Sequence, residues 1–460
     1  MLPDFVTLPL AALLIPAVVL LALMLDRILL PKDASGLSPF RQLMQALGVK
    51  NWNIVLFALL ACFWLTLFGL LFAGLIGLVY SVFNAPLPTS DTVTEWRFTL
   101  AKLVATTGVF GVVVAFPFTI IRLRLMHQQT ETAAAALIND KVNAAVDDLH
   151  AQRQISKWDD DEKTYTDIWE DDITRRNGAI DRLKGLVAEE PALLDRVDRM
   201  LSVYVRELSR EYPPKKPEGD TPEALKKWAR KLKPVRSDME YAVQALAALT
   251  RPAFQTGGRR LPDLAGANLQ GFNMAGLDLG NADLRAAKLQ GADLGQAKLQ
   301  GAYLGQAKLQ GAFLGWAKLQ GAYLEGAELQ GAYLGQAKLQ GANLGGAKLQ
   351  GAYLGQAELQ GAFLGGAKLQ GAYLGGAEFD ADTSLVAANF RGAALRAVDF
   401  TNIPEITPHI EFVFGDDTVI LPPDIPVPER FSVHYETHED YITAWRAFQH
   451  KIGQDPDDPE

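Results

Sequence analysis

The chain has 460 residues, a formal net charge of −9 and one cysteine. That single residue, Cys62, excludes a disulfide framework and a cysteine-based metal site within one chain. The sequence contains no P-loop, G-x-S-x-G or H-E-x-x-H motif, so it predicts a non-enzymatic protein without a cofactor.

Three long apolar stretches mark residues 1–125 as a membrane region. We predict transmembrane helices at about 6–28, 54–83 and 101–123, because crossing a hydrocarbon core takes ~20 apolar residues. No ionisable residue lies well inside a span, which argues against a transport pathway. We expect the lipid bilayer to be one partner of the chain.

The charges beside the spans predict their orientation. The loop after the first span is basic, and the loop after the second is not. The charged residues concerned are Arg27, Lys32, Arg41 and Lys50 in the first loop and Asp91, Glu95 and Arg97 in the second. Because basic loops remain inside, we expect the amino terminus outside and everything after Ile121 inside.

Residues 126–260 are predicted to form a helical module. Helical periodicity covers four stretches, at 127–157, 173–188, 191–212 and 237–249. The proline-rich stretch 213–217 interrupts this pattern. A short seam of apolar residues at four-three-four spacing favours packing within a bundle over an oligomer. The seam consists of Ile138, Val142, Ala145 and Leu149.

Two polar clusters fail to match metal-binding patterns. The acidic run 159–162 lacks the D-x-D-x-D-G spacing of a Ca²⁺ loop and is expected to be a solvated loop. His434, Glu436 and His438 alternate near the carboxyl terminus without the helical H-E-x-x-H arrangement. The sequence therefore predicts no metal site.

A five-residue unit repeats from position 264 to position 379, in 24 consecutive copies with a large apolar residue at the centre of each. Five residues advance an α-helix by about 140°, and an odd step changes faces in a strand. Neither element can therefore bury every fifth residue, and the pattern predicts a solenoid. One extra residue near Asp382 precedes four further units, which begin at Leu385.

These units, with the form Ala-x-Leu-x-x, resemble the pentapeptide-repeat family over residues 261–400. The resemblance implies a right-handed quadrilateral β-helix with one unit on each side. Seven coils spaced by ~4.8 Å would make a rod ~34 Å long. The expected fold class is thus α plus β solenoid, with transmembrane helices and a helical module before the β-helix. The predicted structural core includes Leu284, Leu304, Leu324, Leu344 and Leu364.

The sequence also has a period of ten residues, which places aromatic units on two opposite faces of the coil and lysine or glutamate units on the other two. The candidate interaction surface consists of the aromatic residues Tyr303, Phe313, Tyr323, Tyr333, Tyr353, Phe363 and Tyr373. The alternative is that these rings only stack and stabilise neighbouring coils. Charged columns such as Lys288–Lys308 and Lys298–Lys318 are expected to be solvated faces. Gln290, Gln300, Gln310 and their successors are expected to form amide ladders.

Residues 401–460 are predicted to form an acidic cap and tail, with a helix at about 441–451. They carry 13 acidic and 3 basic residues, which accounts for the net charge of the chain. A solenoid end exposes strand edges and needs such a cover. The module segment 175–183 and the tail segment 414–422 resemble bacterial membrane-anchored pentapeptide-repeat proteins. The resemblance implies a multi-pass protein of the bacterial inner membrane, with a periplasmic amino terminus and cytoplasmic carboxyl-terminal domains.

The sequence favours a membrane-anchored scaffold or protein-interaction module that presents a rigid β-helix to a protein partner that it does not identify. A DNA-mimicking protein that binds topoisomerase is one alternative, but residues 261–400 carry 10 basic and 11 acidic residues and are nearly neutral. Mimicry needs an anionic face, so nucleic-acid-like recognition is disfavoured. A self-assembling membrane organiser, built as a homo-oligomer through the aromatic faces, is the other alternative.

Overall fold

The computed structural model describes residues 54–86, 92–161, 163–249 and 262–459. The first predicted span, at about 6–28, lies outside these residues. The chain divides into two compact units, Met1–Ile138 and Asn139–Glu460, and each is described by itself.

Two long helices make up the described part of the first unit. Helix α1 runs over Ile54–Asn84, and helix α2 over Val93–Leu149 continues into the second unit. The Trp64 indole donates a hydrogen bond to the carbonyl of Val113 across the pair at 3.1 Å. The rings of Phe68 and Phe110 lie 5.2 Å apart. Both helices are long and apolar enough to cross a membrane, by length and composition.

A β-hairpin follows α2 where the sequence predicted continued helix to residue 157. Helix α2 ends at Leu149, and strands β1 (Gln152–Asp159) and β2 (Thr164–Asp171) pair antiparallel. The prediction was wrong here because the hairpin is rich in β-branched and aromatic side chains, among them Ile155, Trp158, Tyr165 and Trp169, which favour strands. Within the acidic run 159–162, Asp159 ends β1, and Asp160 and Asp161 are exposed at the turn of this hairpin, in agreement with the solvated-loop prediction.

Four helices complete the module. They are α3 (Ile173–Glu189), α4 (Leu194–Glu211, after a 3₁₀ turn at Pro191–Leu193), α5 (Pro222–Ala229) and α6 (Ser237–Ala248). Helix α5 was not predicted, because eight residues are too few for a periodic signal. It begins with Thr221 as N-cap, whose side chain accepts a hydrogen bond from the Ala224 N–H, and with Pro222 in the first turn.

A buried ionic network joins the hairpin to the helices. The Arg236 guanidinium donates to Asp238 at 2.7 Å and contacts Asp171 at the end of β2. The Tyr204 hydroxyl donates to Asp238 at 2.7 Å, and Arg176 also contacts Asp171. Buried charges need such partners, because an unpaired one would carry its full desolvation penalty. The network therefore fixes α3, α4, α6 and the base of the hairpin relative to one another.

The repeat forms stacked coils of twenty residues. Parallel bridges connect one residue of each five-residue unit to its counterpart twenty positions later, as between Tyr303 and Tyr323. The Leu304 N–H, for example, donates to the carbonyl of Tyr323 at 2.7 Å, and the Leu304 side chain is fully buried. The other residues of the predicted structural core, Leu284, Leu324, Leu344 and Leu364, are also buried. One large and one small side chain per unit fill the interior of each coil.

The extra residue near Asp382 changes the register once. Phe363 bridges to Ser384, which is twenty-one positions later. The Asp380 carboxylate absorbs the insertion by accepting hydrogen bonds from the Gly361 N–H at 2.7 Å and from the Thr383 hydroxyl at 2.9 Å. The coils continue beyond it.

The predicted amide ladders do not form as a continuous feature of the described solenoid. Gln270 donates to Gln290 at 3.2 Å, but Gln310 donates to Glu328 at 2.6 Å and Gln360 to Glu378 at 2.7 Å. A carboxylate is a stronger acceptor than a neutral amide, so it captures the glutamine where the neighbouring column offers one.

The tail closes the carboxyl-terminal end of the solenoid. Strand β3 (Ala394–Leu395) pairs in parallel with β4 (Phe414–Gly415), between 3₁₀ segments at Pro404–Phe412 and Glu429–Ser432. Helix α7 (His438–Lys451) then packs on the last coils. The buried Tyr441 hydroxyl donates to the carbonyl of Leu395 at 2.8 Å. Helix α7 begins three residues before the predicted start, because Thr437 caps it through the Asp440 N–H.

Candidate interaction site

Four aromatic rings stack along one face of the solenoid. We call Phe313, Tyr333, Tyr353 and Tyr373 the long stack. Successive centroids lie 5.0, 4.9 and 4.9 Å apart, and the rings are within 8° of parallel. The spacing equals the distance between adjacent strands, so each coil sets one ring on the next. The long stack therefore has the geometry expected if its rings stabilise neighbouring coils, which was the alternative to partner binding.

The last ring of the long stack is covered by the tail. Tyr373 contacts His438 edge-on at 5.7 Å and Trp445 at 6.2 Å, both on α7. Burial, together with the neighbouring Tyr353, raises the pKa of Tyr373. Tyr373 is therefore part of the cap contact, whereas Phe313 at the other end of the long stack is exposed.

The opposite aromatic face is more open. We call Tyr303, Tyr323, Asn343 and Phe363 the short stack, after the residues that share this column. The rings of Tyr303 and Tyr323 lie 4.7 Å apart and 4° from parallel. Asn343 then interrupts the aromatic column, and Tyr323 and Phe363 are 47% and 48% exposed. Large exposed rings of this kind favour partner contacts.

Trp316 adds an exposed ring that the sequence prediction missed. It occupies a corner position that is glutamine or glycine in most other coils, and its φ of +57° lies in the left-handed region. Its indole donates to the Gln336 side chain at 2.9 Å, and its ring is 6.4 Å from that of Phe313. A bulky residue in this conformation is strained. The sequence did contain a signal for this residue, because tryptophan replaces the usual glutamine or glycine at this position of the repeat.

The charged columns are partly self-neutralising. Lys338 pairs with Glu358 at 3.3 Å and Lys348 with Glu328 at 3.0 Å. Burial alone would raise the pKa of Glu328, but hydrogen bonding and the charge of Lys348 outweigh it and hold that pKa below its usual value. Burial lowers the pKa of Lys288, and the like charge of Lys308 adds to this effect. Such mixed columns do not form an anionic face.

A column of glycines lies under the module and the tail along one corner. We call this the covered corner; it consists of Gly271, Gly291, Gly311, Gly331, Gly351, Gly371 and Gly392. A Cβ on Gly331 would lie 2.7 Å from the carbonyl oxygen of Pro222, and one on Gly371 would lie 2.6 Å from the Pro459 side chain. Helix α5 and the segment after it cover the first five levels, and the chain end covers the last two. Glycine is required here because nothing larger fits.

Two further surfaces lie on the module. Trp158, Tyr165 and Trp169 are exposed on one face of the hairpin, where Trp158 and Tyr165 are cross-strand partners. An open groove with a volume of about 710 Å³ is lined by side chains from the end of α2 and from α4, including Leu149, Met200 and Val203. Its lining also includes His150, Arg199 and Glu207.

No cluster of three or more potential metal ligands exists within the described ranges. The His434 imidazole lies 3.0 Å from the Asp417 carboxylate, in an exposed polar contact of the cap. The predicted interaction residues thus fall into two stacks on opposite faces, and the two most exposed of their rings, Tyr323 and Phe363, both belong to the short stack.

The repeat matches a known family model. The model described as pentapeptide repeats covers residues 263–301, 297–336, 337–376 and 364–402 with eight copies. The solenoid of this chain is therefore a pentapeptide-repeat domain. No curated protein sequence matches the chain.

Solved structures of pentapeptide-repeat proteins resemble parts of the chain. Rfr23 from the cyanobacterium Cyanothece is 32% identical over 28% of this chain and 94% of its own, with a TM-score of 0.15. HetL from the cyanobacterium Nostoc, involved in heterocyst differentiation regulation, is 25% identical over 33% of this chain and 78% of its own, with a TM-score of 0.21. QnrB1, a plasmid-mediated fluoroquinolone resistance protein, is 21% identical over 40% of this chain and 84% of its own, with a TM-score of 0.26.

Proposed function

We propose that this protein is a non-enzymatic, membrane-anchored interaction module whose pentapeptide-repeat domain binds a protein partner through its short stack. The observation that carries the proposal is the exposure of Tyr323 and Phe363 on a rigid, repetitive face. Interfaces are enriched in tyrosine and phenylalanine, and a preformed rod loses little conformational entropy when it binds.

Anchoring is supported by the apolar surfaces of α1 and α2. Large apolar side chains are exposed along both helices, among them Phe63, Leu70, Val104 and Phe118. An aqueous protein rarely exposes contiguous apolar surface on this scale, whereas lipid tails accommodate it. We propose the bacterial inner membrane as the location, with the repeat domain on the cytoplasmic side. A reporter fused after Glu460 is expected to be active in the cytoplasm, and activity only in the periplasm would contradict this orientation.

Mimicry of DNA has no comparable support. The described charged columns contain both signs, and Lys298 pairs with Asp278 at 3.2 Å in the same way as the pairs higher in the rod. A protein that replaces DNA must present anionic groups in place of phosphates. The lysines of this solenoid would oppose such a contact.

Site-specific photocrosslinking tests the proposal. The full chain is expressed in its native membranes with a benzophenone amino acid at Asn343, between Tyr323 and Phe363. We expect a defined protein adduct, identified by mass spectrometry. The double variant Tyr323→Asn, Phe363→Asn should lose this adduct without loss of folding, because the column already holds asparagine at position 343.

The matched control places the crosslinker at Gln356, which is exposed on a different corner of the rod. This position should not give the same adduct. Equal yields from the wild type and the double variant would contradict the proposal and would assign the short stack to coil stabilisation alone.

A further inference from the structure

The solenoid has a second glycine corner that is not covered by any described residue over most of its length. We call Gly301, Gly321, Gly341 and Gly361 the open corner; it lies ten residues out of phase with the covered corner. A Cβ on Gly321 or Gly341 would have no other described atom within 4 Å, and one on Gly361 would approach only Gly341, at 3.9 Å. At the first level, the Asn281 side chain would stand 2.6 Å from a Cβ on Gly301.

The backbone conformation does not account for glycine at these levels. Gly321 and Gly341 have φ values of +63°. The remaining two corners of the same solenoid have similar φ values, yet they hold glutamine, with Gln296 and Gln356 on one corner and Gln306 on the other, all at +58°. Glutamine is therefore tolerated in this conformation, and at the covered corner it is close contact that demands glycine. The open corner also consists of glycines, and the absence of side chains there would let a helix approach the backbone of the rod closely.

The charges that flank the open corner are asymmetric. Lys318 and Lys338 precede its lower levels, and Glu358 and Glu378 precede the upper ones. A helix carries partial positive charge at its N-terminus and partial negative charge at its C-terminus. A helix docked with its N-terminus at the upper levels would therefore be favoured at both ends. Helix α5 has this direction on the covered corner, where Pro222 lies at Gly351 and Leu232 at Gly271.

We propose that the open corner binds one short helix of a partner protein in the manner of α5, with its N-terminus over Glu358 and Glu378. The inference rests on the proposed function and names the chemistry of the partner. The helix presents alanine or glycine at its closest approach, as α5 presents Ala229. It carries acidic side chains toward Lys318 and Lys338. The four levels from Lys318 to Glu378 span ~14 Å, which corresponds to about ten helical residues.

A peptide derived from α5 provides the probe. Residues 220–233 are synthesised with Lys227→Glu, Arg230→Glu, Lys231→Glu and Lys233→Glu, which makes the C-terminal half acidic. Its binding to the purified full chain is measured by fluorescence anisotropy. We expect saturable binding and at least about tenfold weaker binding of the unmodified basic sequence, because like charges would face Lys318 and Lys338.

Two matched variants of the full chain locate the binding. Gly341 and Gly346 are both exposed, have φ values of +63° and +62°, and have no described atom within 4 Å of a Cβ. Gly341→Gln should weaken binding of the acidic peptide at least about tenfold through steric overlap. Gly346→Gln lies on another corner and should leave the binding unchanged. Absence of saturable binding, or equal effects of both variants, would overturn the inference.

The photocrosslinking experiment separates this inference from the proposed function. If Tyr323→Asn, Phe363→Asn abolishes the adduct but Gly341→Gln does not, the short stack binds a partner without a docked helix, and only the inference fails. If the adduct persists in all variants, the proposed function itself fails. Loss of the adduct in Gly341→Gln, with retention in Gly346→Gln, supports both.

Discussion

A Cβ on Gly291 would lie 2.2 Å from the carbonyl oxygen of Ala229. No real contact of that length exists, so α5 can lie at this level only because Gly291 has no side chain. The same closeness recurs along the covered corner. The position of the module on the solenoid is therefore encoded in the repeat as much as in the module.

Gly291→Ala should detach α5 from the solenoid. We expect a loss of roughly 2–4 kcal/mol in the free energy of unfolding, from left-handed strain and overpacking. Limited trypsin digestion should then cleave at Lys226 and Lys227, which α5 contains. Gly346→Ala, which meets no described atom within 4 Å, is the control and should cost only the strain, about 1–2 kcal/mol. Equal digestion of the two variants would show that the contact does not hold α5.

Leu324→Asp should disrupt the central coils. The Leu324 side chain is fully buried, and an unpaired carboxylate there would carry a large desolvation penalty. We expect loss of cooperative thermal unfolding of the solenoid, followed by circular dichroism. Gln356→Asp, at an exposed corner, should change the melting temperature little. An unaltered melting profile for Leu324→Asp would refute the inward assignment.

The buried network should make stability depend on acid pH. Burial alone would raise the pKa of Asp238, but hydrogen bonds from Arg236 and Tyr204 outweigh it and hold that pKa below its usual value. A lowered folded-state pKa contributes stability above the unfolded-state value of about 3.9, and this stability is lost as pH falls through the folded-state value. Denaturant titrations between pH 5 and pH 2 should show this loss.

Asp238→Asn is the test of that assignment. It should reduce stability at neutral pH by about 3 kcal/mol, because it leaves the buried Arg236 with one carboxylate fewer. It should also flatten the acid dependence. An acid dependence identical to that of the wild type would show that other carboxylates are responsible.

The two aromatic stacks should respond differently to asparagine. Tyr353→Asn removes a ring that stacks on both sides, at 4.9 Å from Tyr333 and from Tyr373. We expect a loss of about 1–3 kcal/mol, since each aromatic pair contributes about 0.5–1.5 kcal/mol. Tyr323→Asn removes a ring with one stacking neighbour, Tyr303, and should cost about half as much by calorimetry. The opposite ranking would contradict the division between a stabilising and an exposed stack.

Tyr441→Phe should loosen the cap. The hydroxyl of this fully buried residue satisfies the carbonyl of Leu395, and loss of the donor leaves that carbonyl unpaired at a cost of about 1–3 kcal/mol. Hydrogen exchange of the last coils should accelerate while exchange near Leu304 stays unchanged. Uniform acceleration along the solenoid would mean that the cap and rod unfold as one unit.

The solenoid could be predicted from the sequence because its register is repeated in every unit. Few backbone conformations can bury a leucine at every fifth position. A four-sided coil is one of them, and it places residues twenty positions apart side by side, as in the bridge between Lys288 and Lys308. The same repetition placed Tyr303 beside Tyr323. Local patterns of this kind fix which residues share a face.

The module was less predictable because its signals are short. Eight residues of α5 carry too little periodicity, and the hairpin at 152–171 was assigned partly to the preceding helix. The contact between α5 and the glycines could not be foreseen either, since it joins segments that the sequence separates by 60 or more positions, as with Ala229 and Gly291. The sequence showed two equivalent glycine columns and could not tell which one is covered.

The ten-residue period of the sequence is half of the twenty-residue coil, and this restricts how the rod can grow by gene duplication. Copying one ten-residue unit would rotate every later residue by half a turn. Pro459 and Gln454, which now meet Gly371 and Gly392, would then arrive above the other glycine corner, away from the line that α5 begins. Duplicating an even number of ten-residue units preserves that alignment. It also adds at least one more coil to the solenoid, and the glycine of that coil at the covered corner would lie beyond the reach of both α5 and the tail.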